Sequence, residues 1–249
     1  MKSTRLSARI IVATLTLCML LAGPVFTATR LSEPNVETNF VLNQFRAKTL
    51  ADCLTAMDHL RPQAVTTDEK SILKQSGFDL VTSKNTINDP IQLAELYRQT
   101  QDVLKFHHRA GIVEYVYFKQ TIPLIETKAG AFIAFSDRLW ELGQDKEGRS
   151  GIVAHELSHE YFALQFLRAY QAHDCEKLRV IELECDAFAT ITLIALKMNP
   201  DRYAEALQKI VHSSKESEKL NDGNNGTPAL SARLQVISEI KKQFSPNSK

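Results

Sequence analysis

The chain has 249 residues, 44% of them hydrophobic and 24% charged, with 9 Gly, 8 Pro and 4 Cys. That composition excludes collagen-like, coiled-coil, low-complexity and disordered classes and supports one sizeable core. Lys+Arg of 30 against Asp+Glu of 29 leave a formal charge of +1, and no basic run is interleaved with aromatics, so nucleic acid is not expected as a partner.

Lys2, Arg5 and Arg9 precede an apolar stretch from Ile10 to Ala22, followed by Gly23-Pro24 and the small residues Thr27 and Ala28. This is the layout of a secretory signal peptide over residues 1–28, and it predicts an exported protein, periplasmic or secreted. The run is shorter than the roughly 20 apolar residues of a membrane-spanning helix. The competing reading, an uncleaved signal anchor reaching Phe26, would hold the chain at the membrane. Cleavage would leave 27 positive against 29 negative side chains, a net −2. In an oxidising compartment Cys53, Cys175 and Cys185 allow at most one disulfide within a molecule, and buried thiols are an equal expectation.

From Asn35 to Leu60 apolar residues at helical spacing (Phe40, Val41, Phe45, Leu50, Leu54, Met57) predict a helix, whole or broken, that Arg61-Pro62 ends. A shorter helix starts at Thr67-Asp68 and stops at Gly77, and Val81 to Asn88 is polar and loop-like. Residues 29–88 therefore read as an N-terminal helical region, with a second region over 89–249. Asp89-Pro90 pairs an N-cap with a proline at the first helical position and opens a helix to about Phe106. After Gly111 period-two or short apolar runs at Ile112-Val113, Tyr115 to Phe118, Ile122 to Ile125 and Ala131 to Phe135 predict two or three strands, and Pro123 marks its own strand as an edge. Helices are expected over about Asp137–Leu142, Gly148–Tyr170, Asp174–Met198, Asp201–Val211 and Ala229–Phe244, with a mobile polar stretch from Ser213 to Gly226. The sum is an α+β fold, mostly helical, with one small sheet.

Within the long helix stands His155-Glu156-Leu157-Ser158-His159, an H-E-x-x-H pattern. Side chains four apart on a helix are offset by roughly 40° about its axis, so both imidazoles face one way and can share a metal ion, with Glu156 beside them. Ile152-Val153-Ala154 and Tyr161-Phe162-Ala163-Leu164 flank the pattern with apolar residues. They predict a buried helix, in which two imidazoles and a carboxylate need the partner that a metal supplies. A tetrahedral catalytic zinc takes three protein ligands. The third is expected in Glu182-Leu183-Glu184-Cys185-Asp186 on the next helix, where Glu182 and Asp186 share a face. Glu182 is the better ligand, and Asp186 is placed to accept from the second nitrogen of a ligand imidazole. Glu184 points to the other side and is expected to be solvated or salt-bridged. His59, His107, His108 and His173 have no partner at metal spacing and read as structural.

H-E-x-x-H followed by E-x-x-x-D resembles the gluzincin pattern, and the surroundings resemble the branch that contains the CAAX prenyl proteases, the HtpX heat-shock protease and their soluble periplasmic relatives. The likeness is carried by Ala131-Phe132-Ile133-Ala134-Phe135-Ser136 and Leu139-Trp140-Glu141-Leu142 ahead of the motif, and by Glu182 to Ala189, with Cys185 where alanine is usual. Asn199-Pro200 and Thr227-Pro228 with Arg233-Leu234 extend it, so that it runs from about residue 89 to 240. It departs from the family in having no histidine ahead of Pro228. The resemblance implies a zincin-like metallopeptidase domain over residues 89–249 with one Zn2+ per chain. It also implies His155, His159 and Glu182 as ligands, Glu156 as catalytic base, and Asp186 behind the ligands.

The expected activity is hydrolysis of peptide bonds in protein or peptide substrates, misfolded envelope proteins among them. An extended substrate is expected to add to Ala131–Phe135 as the sheet's edge strand, read through its backbone. Tyr203, His212 and Arg233 are the candidates for stabilising the oxyanion. Two alternatives are a latent zinc-containing chaperone-like or assembly factor that binds unfolded chains, and a hydrolase of non-peptide amides.

Overall fold

The computed structural model describes residues 34–78, 81–82, 84–143, 145–213 and 226–245. The expected signal segment 1–28, and residues 214–225 of the expected mobile stretch, lie outside the described residues.

The first helical run breaks into α1 (Pro34–Phe45) and α2 (Leu50–Leu60). The break has a local cause. Thr49 accepts from the Asp52 amide while the Asp52 carboxylate accepts from the Thr49 amide, a capping box that starts a new helix. Thr66 and Glu69 repeat the device ahead of α3 (Thr67–Gln75), and Gly77 lies just beyond its end. α4 (Pro90–Phe106) begins as the sequence predicts, with Asp89 accepting from the Ile91 and Gln92 amides.

β1 (Glu114–Phe118), β2 (Ile125–Lys128) and β3 (Phe132–Ser136) form one sheet in the order β1-β3-β2, with β1 parallel and β2 antiparallel to β3. This overturns one expectation: Ala131–Phe135 falls on the central strand, both of whose sides are taken. β2 returns onto β3 through a tight turn at Ala129 (φ 45°) and Gly130 (φ 57°), so β2 itself is the edge. The strand expected over Ile122–Ile125 begins only at Ile125 and runs to Lys128, so Pro123 lies ahead of it and not within it. Ile125, Ile133 and Phe135, with Tyr115 and Tyr117, face the helices. On the other face Leu73 and Phe78 pack against Phe132, and Phe78 and Val81 against Phe118 and Ala134, so the N-terminal region covers the sheet's outer side.

α5 (Asp137–Gly143) leads into α6 (Lys146–Ser158), which is buried from Gly148 to Ser158. The expected long helix does not continue to Tyr170. It tightens to a 3-10 turn at His159–Phe162 and leaves as α7 (Ala163–Gln171). At this turn the Glu160 carboxylate is drawn to the buried Arg109 at 2.6 Å and lies where a Cβ on Gly130 would stand 1.8 Å from its Oε1. A side chain at Gly130, whose φ lies in the left-handed region, would push the Glu160 carboxylate out of that ion pair. α8 (Cys175–Ala195), α9 (Pro200–Ser213) and α10 (Leu230–Phe244) complete the fold. α9 approaches α6 closely because Gly151 has no side chain: a Cβ there would meet the Cβ of Tyr203 at 2.4 Å.

The molecule is mostly helical with one small sheet, as an α+β reading requires. One apolar cluster lies between the sheet, α4, α6 and α9, and another between α1, α2, α7, α8 and α10, with α8 contributing to both. Cys53 and Cys185 are buried thiols, Cys175 is half-buried, and none is paired among the described residues. No described helix is long and apolar enough to cross a membrane.

Candidate metal centre

The last turn of α6 carries His155 and Glu156, and its C-cap is His159. Helical dihedrals at His159 (φ −56°, ψ −27°) preserve the four-residue spacing although the chain tightens there. The two imidazoles stand 5.0 Å apart, nearly perpendicular at 85°. His155, Glu156 and His159 are buried and offer ligand atoms all within 4.8 Å of one another.

α8 packs along α6 and adds Glu182. Its Oε2 is 3.4 Å from His155 Nε2 and its Oε1 3.5 Å from His159 Nε2. These separations are long for hydrogen bonds. Two donors each about 2.1 Å from a tetrahedral ion, however, stand about 3.4 Å from one another. His159 Nε2 is buried and has no hydrogen-bond partner. An orphaned imidazole nitrogen beside a carboxylate is an arrangement that a cation satisfies. The residues present therefore fit a metal ion. Glu182, with its side chain 16% exposed, is more open to solvent than either imidazole.

Behind this set Asp186 is fully buried, its Oδ1 2.9 Å from His155 Nδ1. Asp186 also accepts from the Tyr203 hydroxyl at 2.6 Å and from Arg233, whose Nε reaches Oδ2 and Nη2 reaches Oδ1, each at 2.7 Å. An Nδ1–H held in this way makes Nε2, on the side of Glu182, the nitrogen that would offer its lone pair to an ion once its own proton is displaced. Behind His159 stands Cys185, with Sγ 3.5 Å from Nδ1. On the sheet side the Thr127 hydroxyl, from the inner face of β2, donates to Glu156 Oε2 at 2.9 Å.

Burial works against charge throughout the centre, and the carboxylates decide where it is overcome. At His155 burial favours the neutral ring, but the hydrogen bond and charge of Asp186, with Glu182, raise it to about 9. At Glu182 burial opposes ionisation, yet the charge of His159 and the contact with His155 lower it to about 2. Asp186 is held far below the usual carboxylate range because Arg233 overrides burial. His159 is lowered by burial, which Glu182 only partly opposes. Burial also pushes the Cys185 thiol well up. Without an ion, His155 thus carries at neutral pH a proton that an incoming cation must displace.

The structure brings His155, Glu156, His159, Glu182 and Asp186 together as the spacing predicts. Glu184 departs from expectation: it is buried, not solvated, because α1 packs along α8 and Gln44 donates to its Oε1 at 2.8 Å. Of the three candidate oxyanion donors, Tyr203 and Arg233 are turned onto Asp186. His212 is exposed and bonded to the Gln208 carbonyl within α9. Thr127 escaped the sequence reading because Glu126, Thr127 and Lys128 look like loop residues. The signal that could have found it is the period-two alternation continuing through Ile125 and Thr127.

No family model, curated protein or solved structure matches the chain. The chemistry of the donor set carries the functional reading.

Proposed function

We propose that this chain is an exported zinc-dependent endopeptidase of the gluzincin type. One observation carries the reading: a carboxylate spans the Nε2 atoms of two buried imidazoles at 3.4 and 3.5 Å, with a second carboxylate, Glu156, beside them. Two imidazoles and one carboxylate form a donor set of catalytic zinc that leaves a position open. Bound there, zinc supplies Lewis acidity toward water and toward a peptide carbonyl. Glu156 takes the proton of the attacking water and passes it to the leaving amine. Thr127 orients Glu156 for that transfer, and Asp186, gripped by Arg233 and Tyr203, holds His155 in place. Among the described residues β2 has a strand neighbour on one side, and an extended chain would pair along its other side through main-chain hydrogen bonds, which read backbone over sequence, once that buried strand is uncovered. Broad cleavage of unfolded proteins follows, and the signal-like N-terminus directs it to envelope or extracellular substrates.

A second reading, a latent zinc-containing factor that binds unfolded chains, is favoured by closure of the centre. His155, Glu156 and His159 are 6%, 3% and 3% exposed, and every residue of β2 is buried. Zinc content and casein cleavage of the purified protein, beside its Glu156→Gln variant, separate the two. The expected result is stoichiometric zinc in both and cleavage at least ~10²-fold slower in the variant. Zinc without cleavage in either protein favours the latent factor, and a folded protein that takes up no zinc overturns the centre.

A further inference from the structure

The two imidazoles of the centre are backed by different chemistry. His155 Nδ1 meets an ionised carboxylate that three side chains share, whereas His159 Nδ1 meets the sulfur of Cys185 at 3.5 Å. Cys185 is 0% exposed and stands one residue ahead of Asp186 on α8. Successive helical residues point about 100° apart. The rings they serve are themselves turned 85° from one another. One stretch of helix thus reaches the rear of both rings.

On the opposite side of its ring, His159 Nε2 is buried without a hydrogen-bond partner. A neutral imidazole carries one N–H and one bare lone pair. With the N–H at Nε2 the nearest acceptor is Glu182 Oε1 at 3.5 Å, outside hydrogen-bond geometry and on the side of the ring that a metal would take, while at Nδ1 the N–H has the sulfur to donate to and the Nε2 lone pair is left for the metal. Phe166 packs edge-on against the same ring at 6.0 Å and offers no competing polar acceptor.

We propose that Cys185 is a positioning residue, whose sulfur accepts the Nδ1–H of His159 and so fixes the ring and tautomer in which Nε2 faces the metal. This rests on the reading of the centre as a metal site. Sulfur is a weaker acceptor than a carboxylate. His159 is accordingly the softer of the two imidazole donors, and the centre's affinity depends on a thiol that burial keeps from solvent.

The test uses the full chain, the Cys185→Ala and Cys185→Ser variants, and zinc affinity measured by competition with a chromophoric chelator. Loss of such a supporting partner typically weakens metal binding by ~10- to 100-fold. The alanine variant is expected to bind at least ~10-fold more weakly, and the serine variant, whose hydroxyl can also accept, to recover most of that loss. Denaturant unfolding of the metal-free proteins measures any packing defect separately, because a cavity lowers stability without favouring serine over alanine. Alanine binding as tightly as the unmodified chain, or serine as weakly as alanine, overturns the proposal. Should both variants fail to fold, nitrogen-15 histidine spectra of the zinc-loaded unmodified chain decide it: a proton on His159 Nδ1 supports the proposal and one on Nε2 overturns it. An unmodified chain that takes up no zinc overturns the centre itself, a result distinct from tight binding that Cys185→Ala leaves unchanged.

Discussion

Two regions of the molecule bury a histidine and treat it in opposite ways. Just past α4, His107 is 2% exposed, with Nδ1 3.0 Å from the Tyr161 hydroxyl and Nε2 3.3 Å from that of Thr192. Burial, then the charges of Arg61 and Arg109, push it down to about 3. In the last turn of α6, His155 is nearly as buried at 6%, yet Asp186 and Glu182 hold it up at about 9. Residue type and burial are shared, so the neighbours make the difference. A shell of hydroxyls satisfies a neutral ring and leaves it structural. A shell of carboxylates holds a positive charge in place, and a metal ion is a stronger form of that charge.

The comparison breaks most severely at Asp186. Asp186→Ala strips the Arg233 guanidinium of the carboxylate that two of its nitrogens bind, and Tyr203 of its acceptor, all in a buried setting. Removing one partner of a buried ion pair costs about 3–5 kcal/mol. Urea unfolding should show a lower midpoint at unchanged slope, together with loss of metal binding. A midpoint within error of the unmodified chain would mean that Arg233 finds water or another anion, and that this rear network is not what distinguishes His155.

His107 sharpens the contrast through pH. Its folded value, about 3, lies below the ordinary 6.5, so between the two the unfolded chain binds a proton that the native chain does not. Stability therefore falls as pH drops from about 6.5 toward 3, by up to ~1.4 kcal/mol per pH unit. His155 has the opposite sign: in metal-free protein its contribution is full below 6.5 and is lost as pH rises through about 9. His107→Asn should shrink the stability difference between pH 6.5 and pH 5 by about 1.6 kcal/mol in urea titrations. An undiminished difference would show that His107 takes up its proton at the same pH in the folded and the unfolded chain.

What was legible in the sequence follows the same division between near and far. Capping at Asp89, the face shared by His155 and His159, and the face shared by Glu182 and Asp186 are set by residues within about one helical turn, so spacing reveals them. Arg233 and Asp186 are 47 positions apart, Arg109 and Glu160 51, and Gln44 and Glu184 140, and no local pattern encodes such pairings. The same limit governs the sheet. Periodicity points to two or three strands and meets β2 only at Ile125, and their order depends on how β2 turns back, which is why the sequence alone puts the central strand at the edge. Spacing alone puts Glu184 in water or a salt bridge for the related reason that the distant N-terminal region supplies the helix that buries it.

Thr127 carries the smallest expected effect and joins the two halves of the proposed mechanism. It lies on β2, the strand offered to an extended substrate, and its hydroxyl holds Glu156 Oε2 at 2.9 Å. Thr127→Val keeps shape and β-branching and removes only that donor. The loss of one hydrogen bond is expected to cost about 1 kcal/mol, a roughly fivefold fall in kcat, with KM and zinc content unchanged. Thr127→Ser, which keeps the hydroxyl, should restore most of the rate. A kcat untouched by valine would mean that Glu156 is placed by α6 alone. A fall in kcat at constant KM would mean instead that the strand proposed to hold the substrate also sets the orientation of the base, through a hydrogen bond that acts on proton transfer at Glu156 and not on binding along β2.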